Sequence, residues 1–222
     1  MLRFLKRFKT LLVVLFFLSV VIVSLFYFVL NPKKSLPIYT PSMVNPELVD
    51  TTIQYVANNH FISDFAFINQ NGKTITQKDY EGKIYVADFF FTTCPTICPL
   101  MTDNMVWLQS QIKNNPKVML LSHSVTPDID SVPVLKAYAK RKGVLDSKWN
   151  LVTGDKKDIY YIARKSYLAV KTGKPSELYD MVHTENFVLV DQKRRVRGFY
   201  DGTKREEVEK LLADINFLAT KE

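Results

Sequence analysis

The chain has 222 residues, enough for one folded domain and a short additional element. Its formal net charge is +8, but four of its 30 basic residues lie within the first ten positions, so the rest of the chain is only mildly basic. This distribution argues against nucleic-acid binding. The two cysteines, Cys94 and Cys98, are too few and too close together for a structural disulfide framework. They indicate redox or metal chemistry instead.

An apolar run extends from Leu11 to Leu30, and its only polar groups are two serine hydroxyls and one tyrosine hydroxyl. As a helix it would be about 30 Å long, which matches the hydrocarbon core of a membrane. A cleaved signal peptide would have a shorter core and a small-residue cleavage site, whereas this run ends Phe-Val-Leu-Asn-Pro. A buried soluble helix is disfavoured because the run is apolar on every side. We therefore predict a transmembrane anchor at residues 11–30.

The residues around this anchor predict its orientation and the domain boundaries. Residues 1–10 form a basic tip that should stay in the cytoplasm by the positive-inside rule, which places the remainder across the membrane. No Arg- and Ser-rich transit segment precedes the anchor, so a bacterial inner membrane with a periplasmic domain is favoured over a mitochondrion. Residues 31–47 contain four prolines and predict an extended linker, followed by the folded domain at residues 48–222.

Within the domain, hydrophobic periodicity predicts alternating strands and helices. Residues 65–68 and 73–76 flank Asn71-Gly72, which is a strong hairpin signal. The other predicted elements are a buried strand at 84–91, a helix through 101–112, a strand at 118–121, helices at 131–142 and 155–167, a hairpin of 185–190 with 194–200, and a helix at 206–218. This order predicts an α/β fold, a mixed sheet flanked by helices in a thioredoxin-like layout.

The segment Cys94-Pro-Thr-Ile-Cys98 directly follows the predicted strand at 84–91 and leads into a helix. Residues four apart lie on one face of a helical turn. The free amides and the positive dipole end of a helix start stabilise a thiolate there. Because the thiolate is both a nucleophile and a metal ligand, we predict that Cys94 and Cys98 interconvert between dithiol and disulfide and can bind metal.

His183 is the third candidate ligand, because it immediately precedes the predicted strand at 185–190. Thioredoxin-like folds place a cis-proline facing the cysteine pair at this point, and here a histidine takes its place. Two thiolates and one imidazole form a soft site of low coordination number that suits copper, as Cu(I) or Cu(II). His123, at the end of a predicted strand, and Met181, with its soft sulfur, are weaker candidates.

These motifs resemble the SCO/SenC family of copper-binding assembly factors for cytochrome c oxidase. The matching segments run in the expected order through residues 65–200: Asn69–Lys73, Phe91–Pro99, Val125–Asp130, Leu151–Asp155 and Val182–Thr184. The resemblance implies copper ligands at Cys94, Cys98 and His183. It also implies a partner, the subunit of the oxidase that holds the binuclear copper centre, and other copper chaperones or thiol reductases as further partners.

Asp88 departs from the family pattern, which commonly has a non-acidic residue six positions before the first cysteine. Thioredoxin-type oxidoreductases carry a buried acid at this offset, where it assists proton transfer from the second cysteine. Asp88 is therefore a candidate proton acceptor, unless it is merely exposed at the strand end. A thiol–disulfide oxidoreductase that reduces partner cysteines thus stays open beside a copper metallochaperone. A related peroxidase is disfavoured because Phe91, and not threonine or serine, stands three residues before Cys94.

Two further polar features have open roles. Asp130 matches an acidic position near the family's site, where it could act through its charge or simply cap the helix predicted from Ser131. The second hairpin carries a basic tip that is either a solvated turn or a docking surface for an acidic partner. Its residues are Lys193, Arg194, Arg195 and Arg197.

Overall fold

The computed structural model describes residues 8–30, 35–46, 49–169 and 184–221. The chain divides into two units, Met1–Ser35 and Leu36–Glu222. The described part of the first unit contains helix α1 (Lys9–Leu30). By length and composition alone, α1 is able to cross a membrane, as predicted for residues 11–30.

The second unit is built on one seven-stranded sheet. Its strands are β1 (Ala66–Asn69), β2 (Thr74–Thr76), β3 (Ile84–Phe90), β4 (Val118–Ser124), β5 (Trp149–Thr153), β6 (Asn186–Val190) and β7 (Val196–Asp201). They lie in the order β2-β1-β5-β4-β3-β6-β7. The central strands β3, β4 and β5 are parallel, and an antiparallel hairpin flanks them on each side. This arrangement confirms the predicted mixed sheet.

Helices cover both faces of the sheet, which is why β3 is buried along its whole length. They are α2 (Ile97–Ile112), α3 (Val132–Lys142), α4 (Lys156–Lys165) and α5 (Arg205–Lys221). Even-numbered β3 residues such as Val86 face the core shared with α2, α3 and α5. Odd-numbered residues such as Ala87 face the second core, beneath α4.

The helix termini follow local sequence signals. The predicted start of α3 is confirmed, with Pro133 in its first turn, and the helix ends at Gly143, whose φ of +74° is a left-handed conformation that glycine readily adopts. Helix α4 starts after Asp155, whose carboxylate accepts hydrogen bonds from the amides of Lys157 and Asp158. It ends at Lys165, earlier than the predicted end near Tyr167.

The sequence predicts no strand at β5, which the structure places between β1 and β4. All five residues of β5 are buried, so no alternation of polar and apolar residues marks the strand. Its polar residue Asn150 is paired inside the fold. Its side-chain oxygen accepts from Asn69 at 2.9 Å, and its amide donates to the Tyr80 hydroxyl at 2.9 Å.

Part of the predicted linker contacts the edge strand β7. The Arg197 guanidinium donates to the carbonyls of Leu36 and Pro37 at 2.7 and 2.9 Å. The Tyr39 amide donates to the Val196 carbonyl at 2.9 Å. Residues 36–39 therefore lie against the sheet and pair with an edge that would otherwise present unpaired backbone groups.

Candidate functional site

Cys94 and Cys98 lie between the end of β3 and the first turn of α2, and both are free thiols. Their side chains are close enough for each thiol to affect the pKa of the other. Cys94 is 8% exposed and Cys98 is 4% exposed, and both border the core shared with α2, α3 and α5. The structure thus brings the two sulfur atoms together at the start of a helix, as the sequence predicts.

The two thiols differ in acidity. Burial raises the pKa of the Cys94 thiol, but hydrogen bonds from Cys98 and from the amide and hydroxyl of Thr96 outweigh burial, so this pKa lies below its ordinary value. The Thr96 hydroxyl is 3.7 Å from the Cys94 sulfur. Burial raises the pKa of the Cys98 thiol to about 12, although the Phe91 amide partly opposes this rise. Cys94 is therefore the thiol that ionises first and the better nucleophile.

Asp88 lies in β3 and is 3% exposed, so the alternative of strand-end exposure is wrong. The Ser122 hydroxyl donates to its carboxylate and accepts a hydrogen bond from the Trp149 indole at 2.8 Å. Burial raises the pKa of the Asp88 carboxyl to about 7, and the Ser122 hydrogen bond lowers it by less. The Asp88 charge also contributes to the raised pKa of Cys98, which shows that the two groups are electrostatically coupled.

Ser122 and Trp149 also belong to the site, although the sequence does not predict them there. Each lies in a buried strand, and neither follows a recognisable motif. A serine inside the apolar segment that becomes β4 is the one sequence signal for this contact. Buried hydroxyls need hydrogen-bond partners, so this serine predicts a polar group close to it.

His123 lies in β4 on the opposite face of the sheet from the cysteines, next to Phe89 in the parallel register. Its imidazole packs against the rings of Phe65, Phe67, Phe89 and Tyr167. Nδ1 is 3.4 Å from the Asp88 carbonyl, and Nε2 is buried with no hydrogen-bond partner among the described residues. Burial lowers the pKa of His123 to about 3. This position excludes His123 as a ligand shared with the two thiols.

His183 and Met181 lie outside the described residues. Within the described ranges, no three His, Cys, Asp or Glu side chains are grouped so that they could hold a metal ion. The third ligand therefore stays a prediction from the sequence.

Asp130 is fully buried and fixes the start of the cysteine loop. Its Oδ1 accepts from the Thr92 hydroxyl at 2.5 Å, and its Oδ2 accepts from the Thr92 amide at 3.1 Å. The hydroxyls of Ser124 and Thr126 also donate to Oδ2, at 2.6 and 3.1 Å. The capping role is wrong, because the N-cap of α3 is Ser131 and none of these bonds goes to an α3 amide. Asp130 instead holds Thr92, two residues before Cys94.

The sequence that forms this site is similar to a known protein family. The sequence matches the SCO1/SenC family model over residues 54–220, which include the whole sheet, helices α2 to α4 and all but the last residue of α5. The chain belongs to the SCO1/SenC family. The SCO1 protein homologue of Bacillus subtilis (strain 168) is 32% identical over 164 residues, which make up 73% of this chain and 84% of that protein.

Two solved structures of SCO1/SenC proteins are similar to this chain. BsSco, described as a member of the Sco family of cytochrome c oxidase assembly proteins with a disulfide switch, is 31% identical, with a TM-score of 0.63 over 74% of this chain and 96% of that one. Arabidopsis thaliana ScoI, solved with copper bound, is 27% identical, with a TM-score of 0.59 over 73% of this chain and 99% of that one. Both likenesses confirm the predicted fold class.

In this SCO1/SenC chain we expect Asp130→Ala to lower the free energy of unfolding by about 3 kcal/mol, because it leaves several buried donors without an acceptor. Chemical unfolding measures this change. The exposed Asp128 provides a matched control, and Asp128→Ala should change stability by less than about 0.5 kcal/mol. Hydrogen exchange at residues 92–98 should also accelerate in Asp130→Ala. Unchanged exchange there would show that Asp130 does not hold the cysteine loop.

The basic hairpin is not simply a solvated turn, because three of its four cations are paired within the domain, and docking of an acidic partner there stays a prediction. Arg195 and Arg197 contact the buried carboxylate of Asp191 at 2.7 and 2.8 Å. Arg194 contacts Asp64 at 2.7 Å and also donates to the Ile62 carbonyl. These arginines therefore hold the hairpin against neighbouring segments of the SCO1/SenC domain.

Proposed function

We propose that this chain is a membrane-anchored copper metallochaperone that binds copper through Cys94, Cys98 and His183 for assembly of the copper centre of cytochrome c oxidase. The observation that carries the proposal is the pair of free, buried thiols at the start of α2, one of which has a lowered pKa. Membership of the SCO1/SenC family supports it. Copper-bound A. thaliana ScoI and the oxidase-assembly role stated for BsSco support it further.

The chemistry of the donors fits copper. Thiolate sulfur is a soft ligand that suits Cu(I), and an imidazole extends the set toward Cu(II). The lowered pKa of Cys94 favours its ligating form, whereas Cys98 with its raised pKa has to lose a proton when metal binds. Copper binding should therefore release protons.

The sheet register supports His183 as the third donor. Strand β6 runs antiparallel to β3 and pairs Val188 with Ala87 and Val190 with Tyr85. The chain therefore enters β6 from the end of the sheet at which β3 passes into the cysteine loop. His183 directly precedes Thr184, the first described residue of the segment that leads into β6.

The proposed location is a bacterial inner membrane, with α1 as a single-pass anchor, its basic tip in the cytoplasm and the domain in the periplasm. The length and composition of α1 support the anchor. In this location the domain would face the copper-centre subunit of the oxidase, and other copper chaperones or thiol reductases would supply metal or electrons.

The proposal is tested by removing the imidazole. We expect His183→Ala to keep the Cys94–Cys98 disulfide but to bind Cu(II) at least about 10–100-fold more weakly, since even changes outside the ligand set have effects of this size. Cu(I) binding should suffer less, because two thiolates alone can hold Cu(I). Competitive copper titration with spectroscopy of the cupric form measures the affinities, and mass spectrometry reports the disulfide.

Two variants make this test specific. Cys94→Ser should lose the disulfide and bind both copper forms poorly. His60→Ala removes a partly buried imidazole whose Nε2 is 2.8 Å from the Ser166 carbonyl, and it should leave copper binding unchanged. Equal Cu(II) affinity and an unchanged spectrum in His183→Ala would remove this histidine from the site.

A second function, reduction of partner disulfides, is favoured by Asp88. The Cys94 thiolate would attack a partner disulfide and form a mixed disulfide while releasing one partner thiolate. Cys98 would then lose its proton and attack the Cys94 sulfur, which forms the Cys94–Cys98 disulfide and releases the second partner thiolate. A carboxylate with a pKa of about 7, electrostatically coupled to Cys98, is suited to accept that proton. The two functions are compatible, because copper loading also requires reduced thiols.

A further inference from the structure

Helix α4 carries an outward face that is rich in cations, with one exposed tyrosine, Tyr161, and one buried tyrosine, Tyr160, between them. Residues four apart lie above one another on a helix, so Lys156, Tyr160 and Arg164 form one row. Lys157, Tyr161 and Lys165 form the adjacent row. Each row therefore consists of a cation, a tyrosine and a second cation. The opposite side of α4 is buried in the core beneath it, through Ile159, Ile162 and Ala163.

The tyrosine rings organise these cations. The Lys156 ammonium and the Arg164 guanidinium lie 5.4 and 5.6 Å from the centre of the Tyr160 ring. The Lys165 ammonium lies 5.5 Å from the centre of the Tyr161 ring. Tyr161 itself is 53% exposed, so its ring stands in solvent beside Lys165, and the exposed Asp158 lies three residues before it on the helix.

A cavity of about 570 Å³ lies along this face, a volume typical of ligand-binding clefts. All six residues of the two rows line it, together with Asp50 and Asp155. The Asp155 carboxylate caps α4 through two backbone amides. Asp50 accepts from the amide and hydroxyl of Thr52 and lies 3.8 Å from Lys165. Four cations thus face two carboxylates that already have local partners, and the cavity is suited to an anionic ligand.

We propose that this face of α4 binds the headgroups of anionic phospholipids at the surface of the membrane that holds the chain. The inference rests on the proposed membrane anchoring, which would keep the domain among headgroups at a high effective concentration. Basic side chains interleaved with an exposed aromatic ring are typical of protein surfaces that lie in the membrane interface. An acidic protein would neutralise the same cations, but it would give no comparable reason for an exposed tyrosine between them.

The test uses the full chain reconstituted in lipid nanodiscs, made either of phosphatidylcholine alone or with about one third phosphatidylglycerol. Lysines are acetylated with a neutral reagent, and mass spectrometry follows each site. We expect Lys156, Lys157 and Lys165 to react at least about 3-fold more slowly in the anionic discs. About 0.5 M NaCl should remove the difference, because it shortens the screening length to about 4 Å. Lys140 on α3 and Lys210 on α5 are exposed reference sites that should react equally in both lipids.

Charge-reversal variants show whether α4 itself makes the contact. In Lys156→Glu/Lys157→Glu, we expect Lys165 to lose its protection and to react equally in the two lipids. The matched variant Lys140→Glu/Arg141→Glu changes the net charge equally on α3 and should leave the protection of Lys165 in place. Loss of protection in both variants would mean that only total charge matters, and it would overturn the assignment to α4.

Co-elution with the discs separates this inference from the anchoring on which it rests. A chain that co-elutes with both kinds of disc but reacts equally in both keeps its anchor and loses the proposed surface. Elution with anionic discs alone would refute the anchor and still support the surface, and elution with neither would overturn both. Lysine protection that is absent in anionic discs but appears with poly-L-glutamate would point to an acidic protein and overturn the assignment to lipid.

Discussion

Asp88→Asn is expected to raise the free energy of unfolding by about 4 kcal/mol at pH 8.5 and by less than about 1 kcal/mol at pH 4. The carboxyl is buried, and its folded-state pKa of about 7 lies above the ordinary value of 3.8. Between these two values the folded state holds the proton more tightly than the unfolded state does. Stability is therefore lost as the pH rises through this window, and the loss is complete above the folded-state pKa. An uncharged amide removes the loss.

Chemical unfolding of the reduced, metal-free unit Leu36–Glu222 measures this effect at the two pH values. Ser122→Ala is the matched control, because it keeps the carboxyl but removes the hydroxyl that donates to it. At pH 8.5 Ser122→Ala should have a lower free energy of unfolding than the parent chain, whereas Asp88→Asn should have a higher one. A gain of the same size at pH 4 and pH 8.5 would mean that it does not come from removing a buried charge.

The same variant tests the proton-acceptor role. Asp88→Asn should exchange thiols with a model disulfide more slowly than the parent chain at neutral pH, because Cys98 loses the group suited to take its proton. Cys94, with its lowered pKa, should still form the mixed disulfide, so this intermediate should accumulate. If Asp88→Asn exchanges as fast as the parent across neutral pH, Asp88 has no part in proton transfer and only destabilises the fold.

The sequence was sufficient to predict the parts of the fold that carry local signals. The Asn71-Gly72 turn, the apolar run of β3 and the caps of α3 and α4 each depend on neighbouring residues. The position of the cysteine pair followed from the same kind of signal. Strand β5 could not be predicted in this way, since its buried Asn150 is tolerated only because of partners on β1 and before β3.

In the candidate site, too, residues with a local sequence signal could be predicted, and residues that depend on distant partners could not. The thiols and Asp88 were identified from their spacing along the chain, whereas the partners Ser122 and Trp149 come from other strands and meet Asp88 only in the folded sheet. Asp130 was assigned a possible cap because Ser131 follows it, but its four hydrogen bonds go to residues before the helix. Contacts between distant segments decide these roles, and periodicity does not encode such contacts.

A buried histidine gives the opposite pH dependence from that of Asp88. The folded-state pKa of His123, about 3, lies below its ordinary value of 6.5, because burial disfavours the charged imidazole. Between these values the unfolded state binds more protons than the folded state does. Stability is therefore lost as the pH falls through this window, by about 3 kcal/mol at pH 4. The buried Nε2, which has no hydrogen-bond partner among the described residues, adds a further loss that does not depend on pH.

We therefore expect His123→Phe to stabilise the domain by about 3 kcal/mol or more at pH 4 and by less at pH 7.5. The ring would replace imidazole in a site already lined by Phe65, Phe67 and Phe89, although its larger size offsets part of the gain. Chemical unfolding from pH 3.5 to 8 measures the slope, and His60→Phe, at a partly buried site, controls for the added ring. Because Asp88 and His123 act in opposite directions, Asp88→Asn/His123→Phe should lose both contributions. The slope that is left should come from carboxylates with a lowered pKa, such as Asp191, and should show a loss of stability only toward low pH. A profile of His123→Phe parallel to that of the parent would show that His123 is not held neutral in the folded state.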